Sequence, residues 1–297
     1  MEFIIAENCS IKEKFENNKE NITDFFNTII NKFNLYTLKK IIITDFDFNN
    51  YCNTVKEMSK DIDKNIQITK NGAAIVIKGI NKNSEFIQYV FIRGDIFLLF
   101  YSQLCSDEID SEFFNNYKRI LEIAKSTVLH EIGHCVYYQT TYTNYDYKES
   151  EKQSYNLVLE PELKKYIYAE CTTLLSEYFA QRFMYSYCNE QADEYIEDML
   201  AIINDESFEG RVQSLGKIYR LTYWFIFYIS YYHTYSSVEP LFYKSIANSK
   251  LIDIFKKLDN ELRTVYDRFN AGEFDVANLE AIYKEIYNTK YSNYDKV

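Results

Sequence analysis

Seven glycines and two prolines in 297 residues leave this chain few places to turn sharply. A fold made of many short strands and tight turns needs more punctuation than that, so long helices are expected over most of the length. The hydrophobic content of 47%, with 18% aromatics, is enough to fill a sizeable core and rules out a disordered chain.

Strand-like character is confined to the first hundred residues. FIIA near the start, LKKIIIT at Leu38–Thr44, AAIVIKGI at Ala73–Ile80 and FIQYVFI at Phe86–Ile92 are β-branched or aromatic. Between them, Ile11–Phe33 and Tyr51–Ser59 have helical spacing. After Arg93-Gly94-Asp95 the run IFLLFY is expected as the second strand of a hairpin. From about Ser106 the chain reads as helices over Glu112–Thr140, Glu160–Cys188, Gln191–Asn204, Gly210–Ser236, Pro240–Asn248, Leu251–Phe269 and Val276–Tyr287. The polar stretch Thr141–Ser154 is expected as a solvated connection. The fold class is therefore α+β: a small mixed sheet with helices over residues 1–106, followed by helical portions at 107–190 and 191–297, all in one integrated unit.

The net charge of −11 comes with no concentrated basic patch, which disfavours nucleic acid as a partner. Tyr219–Tyr235 is the most apolar stretch, but it is shorter than the roughly 20 residues a bilayer requires, so a buried helix is expected and no membrane partner. Met1–Ser10 carries Glu2 and Glu7 and has no apolar run after a basic segment, so no secretory signal is expected. Six scattered cysteines fit reduced thiols, and the expected location is cytoplasmic.

The segment STVLHEIGHCVYY contains His130-Glu131-Ile132-Gly133-His134, an HExxH motif within a helical pattern. Residues four apart share a helical face, so both imidazoles can reach one Zn²⁺. Glu131 lies at the edge of that site, placed to accept a proton from water that the cation has made acidic. With only three histidines in the chain, such a motif arises by chance in roughly a few chains per thousand. Cys135, next to His134, is turned about 100° away on a helix and is not expected as a ligand. A catalytic zinc takes a third protein ligand. The residues leave three choices: His233, Glu170 and Glu177, the two glutamates standing two turns apart in YAECTTLLSEYFAQRF.

HEIGH followed some forty residues later by SEYFAQRF resembles the gluzincin metallopeptidases, and among them the ImmA/IrrE-like metallopeptidases. The resemblance covers about Lys125–Met184, one fifth of the chain. It implies a zincin-like fold with Glu177 as third ligand and Ala180 three residues on. It departs from the thermolysin-like pattern at Gln181, where an aspartate would orient a ligand histidine. In thermolysin-like relatives a late histidine or tyrosine stabilises the oxyanion, a catalytic role that falls here to His233, Tyr231 or Tyr232. In zincins an edge strand pairs with an extended substrate, a part that Glu85–Tyr101 would take. The implied function is zinc-dependent hydrolysis of an intracellular protein or peptide, with Glu131 as base; the alternative is a zincin-fold binding or regulatory module without turnover.

Overall fold

The computed structural model describes residues 1–7, 9, 12–16, 19–62, 72–104, 111–144, 162–188, 225–235 and 252–270. It divides into two compact units, one of Met1–Gln139 with Tyr187–Glu190 and one of Thr140–Ser186 with Gln191–Val297. The fold is mixed α+β, and the strands among the described residues lie in the first unit.

Strands β1 (Glu2–Ile5), β2 (Leu38–Ile43), β3 (Ala74–Ile80) and β4 (Phe86–Ile92) form one sheet in the order β1-β2-β4-β3. β1, β2 and β4 run parallel, and β3 is antiparallel to β4. Every residue of β4 is buried, as a run of apolar residues covered on both faces requires. Helices α1 (Lys12–Glu16), α2 (Lys19–Lys32) and α3 (Phe48–Met58) fill the early connections. Asp47 caps α3, its Oδ1 accepting from the N–H groups of Asn49 and Asn50 at 3.0 Å each.

Alternation along the strands separates the two faces of the sheet. Ile42, Ile77, Ile87, Tyr89 and Phe91 pack with Tyr51 and Val55 of α3 in one core cluster. An aromatic group forms a second one: Phe3 stacks on Phe26 at 6.1 Å, and Phe15 meets Phe97 edge-on at 4.8 Å.

Phe97 belongs to α4 (Gly94–Leu104), and here the structure corrects the expectation of a hairpin strand for IFLLFY. A short apolar run is ambiguous between strand and buried helix. Helical spacing puts Phe97, Phe100 and Tyr101 on one buried side against Phe15, Phe25 and Phe26, which alternation would not do. Gly94 permits the turn into α4, because a Cβ there would lie 2.7 Å from the Thr44 carbonyl oxygen. The expected substrate-pairing segment moves as well. β4 is paired on both sides, so among the described strands in that region β3 carries the sheet edge.

Helix α5 (Ser111–Asn144) is a single helix of 34 residues carrying HExxH. Thr141–Asn144 continue it, and the rest of the stretch to Ser154 lies outside the described residues. The second unit contains α6 (Glu162–Tyr185), helical residues 225–234 and α7 (Ile252–Asn270). Phe225 stacks on Phe255 at 4.4 Å, and Phe179 meets Phe269 at 4.1 Å. The helices expected at Gln191–Asn204, Pro240–Asn248 and Val276–Tyr287 lie outside the described residues. Among the described residues no helix is long and apolar enough to cross a membrane.

Candidate metal centre

His130, Glu131 and His134 all lie on α5, and the helix repeat places the two histidines together as their spacing requires. Their Nε2 atoms are 3.0 Å apart with the rings at 89°. Two nitrogens each about 2.0–2.1 Å from one tetrahedral zinc stand roughly 3.3 Å apart, so this pair fits the bite of such an ion. His134 is buried at 7% exposure, while His130 and Glu131 are partly exposed. Tyr138, one turn further on, stacks on His134 at 5.7 Å and 12°, and the Lys78 ammonium of β3 sits 3.1 Å over the Tyr138 ring. That cation over an aromatic face restrains Tyr138, and through it the ring of His134.

The helix itself is fixed to the sheet by a buried chain of amides. Gln88 donates from Nε2 to Thr37 Oγ1 at 2.7 Å and to the Cys135 carbonyl at 3.1 Å. Gln139 Oε1 accepts from the N–H and the hydroxyl of Thr37 at 3.0 and 2.8 Å, while its Nε2 donates to the Asn34 carbonyl at 2.9 Å. Asn34 adopts φ 48°, a left-handed conformation asparagine tolerates, and so turns that carbonyl out of α2. Bonds at Cys135 and Gln139 bracket the stretch just after His134, which sets the axial and angular position of the motif against β4 and β2.

Sequence reasoning missed this clamp, although a glutamine in the centre of FIQYVFI is a signal for it: a polar side chain in a fully buried strand requires partners. Tyr51 was missed too. Its hydroxyl is buried without a hydrogen-bond partner, and its pKa is raised by burial first and then by the negative charge of Glu131. Cys135 is fully buried, and burial, with Glu131 adding to it, pushes its thiol well up, which keeps it a protonated core residue.

Glu177 is on α6, partly exposed, between buried Ser176 and Tyr178. Glu170 is on the same helix, and its side chain lies outside those described. Glu177 stands with His130 and His134 in a group of three that could hold a metal ion. No family model, curated protein or solved structure matches the chain. The chemistry of the centre therefore rests on its own donor set. Two imidazoles and one carboxylate suit zinc and are open to other divalent transition metals.

His233 lies in the second unit, on the 225–234 helix. Its Nε2 is 2.6 Å from Asp259 Oδ1 and its Nδ1 is 2.6 Å from the Tyr178 hydroxyl. Tyr231 packs edge-on to Tyr185 at 5.2 Å, and Tyr232 is buried beside Arg263. Burial lowers the His233 pKa, and the bond to Asp259 opposes this without cancelling it, while Arg263 and Arg182 add to the lowering. The folded protein then holds the neutral ring more tightly than the unfolded chain does. This contribution is complete above the ordinary histidine pKa of about 6.5 and is lost as pH falls below it. The expected result is a fall in the denaturant midpoint from pH 7 to pH 5.5 that is reduced in His233→Gln; an equal fall in both proteins would exclude His233 as its source.

Proposed function

We propose that this protein is a zinc-dependent peptidase, with the cation held by His130, His134 and Glu177 and with Glu131 as general base. What carries the reading is the pair of imidazoles on one face of α5, their Nε2 atoms 3.0 Å apart, next to the HExxH glutamate. When bound, zinc supplies Lewis-acid polarisation of the scissile carbonyl and lowers the pKa of water.

The protein's own residues supply the remainder. Glu131 follows the first histidine on the helix and accepts the proton of the attacking water through a carboxylate oxygen. The proton then passes to the leaving amine nitrogen, which departs neutral. Tyr138 and the Gln88–Thr37–Gln139 clamp hold the motif in place, so that little reorganisation is needed during reaction. β3 offers the backbone of a sheet edge to an extended chain, a mode that reads main-chain geometry before side chains. The proposed substrate is an intracellular protein or peptide, a location that scattered cysteines without a CxxC pair favour.

The test is cleavage of a mixed peptide library by protein loaded with one zinc per chain. Cleavage that stops on chelation and returns with zinc supports the reading. Stoichiometric zinc without cleavage would favour a binding module on the same scaffold, and failure to take up zinc would remove the metal centre.

A further inference from the structure

The third histidine of the chain has a partner on each ring nitrogen, and those partners belong to different helices. The Asp259 carboxylate of α7 is an acceptor, so the imidazole presents Nε2–H to it across 2.6 Å. Nδ1 is then the acceptor for the Tyr178 hydroxyl of α6, also at 2.6 Å. Arg263 donates to Asp259 Oδ1 at 3.3 Å and balances its charge. Arg182 donates to the Tyr178 hydroxyl at 3.3 Å and to the His233 carbonyl at 3.5 Å. The His233 and Asp259 side chains are 1% and 6% exposed. With both nitrogens engaged in a closed environment, the ring has no N–H left to offer a substrate oxygen.

Tyr178 is held at its other end as well. Its backbone carbonyl accepts the longer arm, at 3.4 Å, of a hydrogen that Ser230 Oγ shares with the Ile226 carbonyl at 2.6 Å. A residue fixed at both its side-chain tip and its main chain fixes the Cα of its neighbour, and that neighbour is Glu177.

We propose that Tyr178, His233 and Asp259 are positioning residues that set the Glu177 carboxylate for metal binding, His233 acting through α6 and not on the substrate. The inference rests on the reading of Glu177 as a ligand. Partners bonded directly to a ligand change metal affinity by about 10–100-fold when removed, and residues that act one step away through the α6 backbone belong at the low end of that range. Tyr178→Phe deletes one oxygen and keeps the ring, so the helix packing survives; Asp259→Asn keeps the shape and removes the charge.

The measurement is zinc affinity by competition with a chromophoric chelator, at a temperature where each variant is fully folded, together with the visible absorption of the cobalt-loaded protein and the melting temperature. Glu177→Gln is measured alongside as the reference. The expected result is zinc binding weakened about 10-fold in Tyr178→Phe and in Asp259→Asn, with a changed cobalt spectrum. The double variant should be no weaker than the worse single one, because all three residues act as one chain. Weakened binding in Glu177→Gln with wild-type affinity and spectrum in both other variants would overturn the positioning role, even if their melting temperatures fall. Unchanged affinity in Glu177→Gln itself would instead remove the ligand on which both readings stand.

Discussion

His134→Ala is expected to bind zinc more than about 100-fold more weakly than wild type, beyond the range in which a lost outer-shell partner acts. In the proposed centre the imidazole is one of three protein donors, and alanine leaves no atom to replace it. Its surroundings are also built for that ring: Tyr138 stacks on it, and it is nearly closed from solvent. Truncation there leaves a cavity and lowers stability, so the metal loss must be separated from damage to the core. His130→Ala serves for this, since His130 is partly exposed and its removal disturbs less packing. Elemental analysis of both variants, folded by circular dichroism and dialysed against the same zinc buffer, makes the check. Loss of zinc from both with retained helicity is the predicted pattern; wild-type zinc in either variant would take that histidine out of the centre.

The half of the centre on α5 was legible from the sequence because its information is local. The i, i+4 spacing of His130 and His134 is converted into a shared face by helix geometry alone, and nothing distant decides it. The four strands were legible for a similar reason: β-branched and aromatic runs at Leu38–Ile43 and Phe86–Ile92 are short, apolar and bounded by polar turns. Residues 95–101 were misread because IFLLFY has no polar positions to reveal its period. Only its contacts with Phe15 and Phe25 decide that it is helical. Pairing order was invisible for the same physical reason. Whether β3 or β4 lies at the edge depends on the parallel match of β2 with β4, whose partners are some fifty residues apart in sequence. The supporting residues sit in between. Gln88 and Asp259 interrupt apolar patterns at buried positions, which signals that partners exist, but Thr37 and His233 are named as those partners only by the fold.

Glu131→Gln separates binding from chemistry most sharply. Glutamine keeps the size and the hydrogen-bonding carbonyl of the side chain but has no basic oxygen to receive a proton. General base catalysis contributes about 10²–10⁴-fold, so turnover of a cleaved peptide should fall by that order, with zinc content unchanged. The loss should appear in kcat, because the proton moves in the transition state. Turnover within a few-fold of wild type would take the base role from Glu131. Loss of zinc together with turnover would make it a ligand, and the donor set would then be built around that carboxylate and the two histidines.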